Sequence, residues 1–205
     1  MELTLQQKDA LTELINIGYG RAAGALSELT GYRISLEVPQ VSMHPLAEIG
    51  TLLEKELKPP VASVNQKFSG PVSGNALLLL DEASALVLSR LLTEERTVPR
   101  DFDSNAKEII TEVGNILLNA CLGVFGNLLR IQVSFSVPHL SIEDVSKVVS
   151  HAASQSEEAS YGLMIRTRFH AKAEDVTGFL VIVLGITSLD RLLQELRKWE
   201  ERQLH

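Results

Sequence analysis

Apolar residues recur at three- and four-residue intervals through residues 5–30. Leu11, Ile15, Ala22, Ala25, Leu26 and Leu29 gather on one side of a helical wheel, and Asp9, Glu13, Asn16, Gly20, Gly24 and Ser27 form a narrow stripe opposite. Thr4 followed by Gln7 can form a capping box and Gly31 supplies a stop, so the pattern predicts one helix over residues 5–30. Residues 33–38 then alternate as a strand and end at Pro39. The succession returns later, with a helix predicted over 104–129 and a strand over 131–137 ending at Pro138. In this second helix the stripe holds Glu108, Glu112, Asn115, Asn119, Gly123 and Gly126, opposite Ile110, Gly114, Leu117, Cys121, Phe125 and Leu128.

Sliding the chain by 99 positions aligns Asp9 with Glu108 and Pro39 with Pro138 without a gap. Nine pairs match, among them Glu13/Glu112, Asn16/Asn115, Gly24/Gly123 and Pro39/Pro138. Unrelated sequence would give roughly two matches, so the chain is read as a duplication. Both halves also end alike. Val72-Ser73-Gly74 leads an apolar strand over 75–80 and a helix over 82–92, and Val176-Thr177-Gly178 leads a strand over 179–184 and a helix over 186–200. Residues 61–69 and 159–171 read as further strands, 94–103 as the connector and 155–158 as a polar loop. Ser141 with Asp144 is expected to cap a short solvated helix running toward His151. These elements predict an α+β fold: one domain over 1–205, with halves of about 1–99 and 100–205 related by a pseudo-twofold axis.

Composition narrows the function. The net charge of −7 and pI near 5.3 exclude a sequence-independent grip on nucleic acid or anionic lipid, which needs clustered cations. Cys121, the single cysteine, can form no intramolecular disulfide, and the first residues lack a secretory pattern. No run approaches 18 consecutive apolar residues. The expectation is a cytoplasmic protein without membrane insertion, whose partner is another protein or a small molecule. The five histidines show no metal-ligand spacing, and the glycines at 18, 20 and 24 lie inside a helix, not in a nucleotide-binding turn.

The stripe carries the chemistry. Glycine costs a helix about 1 kcal/mol at each position, a poor choice for mere solubility. Bare backbone at Gly20, Gly24, Gly123 and Gly126 would let a partner approach while Glu and Asn project into it. Alternatively, the glycines pack the two helices together and the polar residues are merely solvated. Recurrence in both copies favours the first reading.

The pattern Asp9-x3-Glu13-x2-Asn16-x22-Pro39, repeated as Glu108-x3-Glu112-x2-Asn115-x22-Pro138, resembles the signature of the CheC family of chemotaxis phosphatases. Ile15-Asn16-Ile17-Gly18-Tyr19-Gly20-Arg21-Ala22-Ala23 and Glu112-Val113-Gly114-Asn115-Ile116 are similar to that family as well. Glu108 departs from it, because the family prefers Asp or Ser there. Two signatures in one chain resemble the CheC type, not the single-signature, dimeric CheX type. The resemblance implies a CheC-like fold with two long active-site helices on an antiparallel sheet. It also implies hydrolysis of the aspartyl phosphate of phosphorylated CheY, with Asn16 and Asn115 positioning water and Glu13 and Glu112 contacting the regulator. Asp9, Glu108, Pro39 and Pro138 would be supporting motif positions. No cofactor of its own is implied, since the regulator brings Mg²⁺. The deamidase CheD is a further implied partner. The alternative is a non-catalytic adaptor for CheD or for a flagellar switch partner.

Overall fold

The computed structural model describes residues 3–37, 40–93, 102–154 and 159–203. Seven elements occur in the order α1 (Leu5–Thr30), β1 (Ile34–Leu36), β2 (Gln40–Pro45), α2 (Leu46–Glu54), β3 (Val61–Ser69), β4 (Gly74–Asp81) and α3 (Glu82–Leu91). The same order then repeats as α4 (Ser104–Leu129), β5 (Ser134–Phe135), β6 (His139–Glu143), α5 (Val145–Ser154), β7 (Ala159–Ala171), β8 (Glu174–Gly185) and α6 (Ile186–Gln203).

The helix ends follow from local chemistry. At the start of α1 the Gln7 N–H donates to Thr4 Oγ1 at 3.2 Å and the Thr4 N–H to Gln7 Oε1 at 2.9 Å. Gly31 closes the helix in the left-handed region, φ 71°, donating to the Ser27 carbonyl. The α4 helix opens with the Asp103 carboxylate accepting from the Ala106 N–H at 2.8 Å.

All pairings in the eight-stranded sheet are antiparallel, and its main path is β1-β7-β8-β4-β3-β5. Strands β2 and β6 pair with β7 and β3. Each half's short strands therefore pair with the other half's long hairpin. At the middle, β4 meets β8 with Leu77 opposite Val181. The offset of 104 that superimposes Gly74 on Gly178 also superimposes Leu77 on Val181, so the pseudo-twofold axis passes between these two residues.

Both faces of the central strands are covered, which explains their unbroken apolar runs. Ala76, Leu78 and Leu80 of β4, with Leu180, Ile182 and Leu184 of β8, join the large core beneath α1, α3, α4 and α6. Leu77 and Leu79, with Phe179, Val181 and Val183, face α2 and α5 in a smaller one. Among the described helices, α4 alone is long and apolar enough to cross a membrane by length and composition, and half of that apolar window is buried within the protein.

Four expectations need correction. The predicted strand over 131–137 is reduced to Ser134–Phe135, because Arg130 turns left-handed and the Ile131 N–H is spent on the Gly126 carbonyl. Ser141 is not a helix cap: it lies in β6 opposite Ser63, and α5 starts at Val145 with the Asp144 carbonyl as first acceptor. Ala25 and Leu29, assigned to the core face of α1, are exposed, whereas Leu26 beside Ala25 is fully buried, so the last turns of α1 are covered on one flank only. Finally, the helix α2 occupies a stretch to which the sequence pattern assigned no element. Most of the expected connector and the whole loop 155–158 lie outside the described residues.

Candidate functional site

The α1 and α4 helices lie side by side over the sheet, and their outward faces carry the repeated stripe. Asp9 and Glu13 are exposed and Asn16 is half-buried; Glu108 and Glu112 are exposed and Asn115 is half-buried. The helices run antiparallel: Gly18 lies against Cys121, and Leu29 and Thr30 at the end of α1 share a notch with Glu108 and Glu112 near the start of α4. The two Glu-x-x-Asn pairs thus stand at opposite ends of the helix pair, each reachable on its own.

The glycines divide into two groups. A Cβ added at Gly20, Gly24 or Gly123 would meet nothing within 4 Å, so these positions are open. Gly126 differs, since it sits under its own chain with the Ile131 carbonyl 3.3 Å from such a Cβ. Close packing falls instead to Gly18 against Cys121 and to Gly114 against Val64, both inward. The stripe is therefore not the seam between the helices. Ser27, at its far end, is occupied structurally: its hydroxyl donates to the Ala23 carbonyl at 2.6 Å and accepts from the Ile34 N–H at 2.9 Å, tying β1 to α1.

The two sites differ in their second layer. Around Asn115 runs a chain of amides: Gln66 Nε2 donates to the Ser136 carbonyl at 2.9 Å and to Asn119 Oδ1 at 3.0 Å, and Asn119 Nδ2 donates to Asn115 Oδ1 at 2.6 Å. Asn115 Nδ2 faces Glu112 Oε2 at 3.5 Å, the outer limit of a hydrogen bond. In the first copy the position of Asn119 is taken by Gly20. Among the described residues, Asn16 has no side-chain hydrogen bond. Beneath α1 the tether to the sheet is instead Tyr19, whose buried hydroxyl bonds Thr167. Burial raises the Tyr19 phenol well above its ordinary pKa, with Cys121 adding to the effect, and burial likewise pushes the Cys121 thiol far up.

Pro138 joins β5 to β6, while Pro39 lies outside the described residues. Gln66 escaped the sequence reading. Its signal was a polar residue in phase with Ala62, Val64 and Phe68, the inward side of an alternating strand.

Residues 7–43 match the CheC-like family. The chain is 26% identical over 170 residues to the CheY-P phosphatase CheC of Bacillus subtilis strain 168, an alignment covering 79% of each protein. The crystal structure of Thermotoga maritima FliY shares the fold with a TM-score of 0.78 at 18% identity, covering 97% of this chain and 100% of that one. The likeness to the CheC-like family thus lies in the sequence of residues 7–43 and in the fold of nearly the whole chain. The family match runs from α1 through most of β2 and so includes the Glu13 and Asn16 pair. The CheC-like fold extends further: the middle domain of FliM from Vibrio alginolyticus superimposes with a TM-score of 0.64 at 14% identity, over 90% of this chain and 99% of that one.

Proposed function

We propose that this chain, acting as one domain in the cytoplasm, hydrolyses the aspartyl phosphate of a phosphorylated CheY-type response regulator. The observation that carries the reading is the pair of outward Glu-x-x-Asn units, with open glycines further along each stripe at Gly20, Gly24 and Gly123. The activity named for the Bacillus relative supports it.

An acyl phosphate is already reactive, and the regulator supplies Mg²⁺ and a lysine around the phosphoryl group. What remains is to hold a water in line with the bond to be broken. A side-chain amide suits this task because it both donates and accepts without changing charge. Asn16 or Asn115 orients the water. Glu13 or Glu112, one turn earlier on the same face, pairs with the regulator's lysine and sets the register. Water oxygen bonds phosphorus as the bond from phosphorus to the aspartyl oxygen breaks. The acyl phosphate dianion and water become a carboxylate and dihydrogen phosphate.

The test is phosphate release from a phosphorylated CheY-type regulator by the wild type, Asn16→Ala, Asn115→Ala and the double variant. Each single variant should be slower and the double nearly inactive; full activity in the double variant overturns the mechanism. The fold likeness to FliM favours a second reading, an adaptor for CheD or a flagellar switch partner without catalysis. It predicts regulator binding with no phosphate release by the wild type.

A further inference from the structure

We infer that Asn119 and Gln66 are positioning residues for Asn115, and that they make the α4 site the faster of the two. The inference rests on the phosphatase reading for its kinetic part. Its structural part stands alone.

The argument starts at the Ser136 carbonyl, which can only accept. The group of Gln66 that meets it must be the NH₂, and Gln66 is buried, 2% exposed, with no room for exchange with solvent. The same NH₂ meets Asn119, so Asn119 must present its oxygen there and its own NH₂ toward Asn115. Asn115 must then turn its oxygen inward, leaving its NH₂ outward beside Glu112. One backbone carbonyl thus dictates, through three amides, which end of the Asn115 side chain faces a docked partner. An unconstrained asparagine divides its time between two orientations and several rotamers, and one held by a fixed donor is pre-organised. Among the described residues Asn16 has no such support. Gly20 occupies the place of Asn119, and a Cβ there would find nothing within 4 Å.

Asn119→Asp tests the polarity of the relay with almost no change of shape. Aspartate still accepts from Gln66 but offers no donor to Asn115 Oδ1. In an Asn16→Ala background, which silences the α1 site, Asn119→Asp and Asn119→Ala should each lower kcat about tenfold, with KM little changed because Glu112 is intact. Gln66→Met, which removes the anchor at similar volume, should move kcat the same way. Full kcat with Asn119→Asp but reduced kcat with Asn119→Ala would reduce Asn119 to a spacer and overturn the inference. NMR of the side-chain amides supplies a readout free of activity. In the wild type the Asn115 side-chain amide should show restricted motion relative to Asn16, and Asn119→Ala, which removes the bond to Asn115 Oδ1, should erase the difference. Equal behaviour of Asn115 and Asn16 in the wild type would sink the structural part. If Asn16→Ala with Asn115→Ala keeps full phosphatase activity, the functional reading fails, and the NMR comparison still decides the relay.

Discussion

Gly18 rests against Cys121 so closely that a Cβ on residue 18 would stand 2.9 Å from the Cys121 Cα and 3.2 Å from its Sγ. This contact sets the spacing of the two long helices, and with it the separation of the two sites. Gly18→Ala gains helix propensity but must push the backbones apart. It should be net destabilising by about 1–3 kcal/mol, read as a lower urea midpoint at unchanged slope.

Gly20→Ala and Gly123→Ala should do the opposite. Neither new methyl meets a neighbour, so each variant should gain up to about 1 kcal/mol of stability. If a partner's backbone seats on the bare stripe, the same variants weaken regulator binding. Thermal melts and titration with a phosphorylated CheY-type regulator measure the two effects separately. Stability gained with binding untouched would show that nothing docks there.

Glu13 and Glu112 should separate from the asparagines in kinetics. Both carboxylates are exposed, and their proposed task is docking. Glu112→Ala in an Asn16→Ala background should raise KM about tenfold with a smaller fall in kcat, whereas Asn115→Ala should act chiefly on kcat. Steady-state phosphate release over a range of regulator concentrations distinguishes the two patterns.

Tyr19 and Cys121 predict a specific alkaline weakness. Both have their folded pKa raised by burial, so the fold favours the protonated forms. Unfolded chains release these protons above roughly pH 9, where the unfolded state binds fewer protons and stability falls as pH rises. The thiol alone should account for about 2–3 kcal/mol between pH 7 and 10.5. Urea melts at the two pH values should show the loss, and Cys121→Ala, the residue of the first repeat, should reduce it.

Much of this arrangement was legible in the chain, where the physics is local. The capping box at Thr4, the stop at Gly31 and the 99-residue repeat placed α1 and α4 within a residue of their bounds. Val61–Ser69 and Ala159–Ala171, read as further strands, are strands over the same bounds. What escaped depends on partners remote in sequence. The α2 helix is nine residues long and holds Gly50 at its middle; its Leu46, Ile49 and Leu53 become a helix face only because the sheet and α5 cover them. Exposure of Leu29 could not be read from a helical wheel, which sets it in line with the buried Leu11 and says nothing of what covers each turn. The amide relay joins β3, α4 and the turn after β5, and only the inward phase of Gln66 hinted at it.

The crossing of strands between the halves has a further consequence. A single half would own a long hairpin with one apolar edge bare, and two short strands whose hydrogen-bonding partners belong to someone else. Such a fragment could complete its ladder only with a second copy of itself, about the axis that now runs between Leu77 and Val181. Joining two copies in one polypeptide makes that assembly independent of concentration. It also leaves each copy free to differ from the other, as Asn119 and Gly20 do.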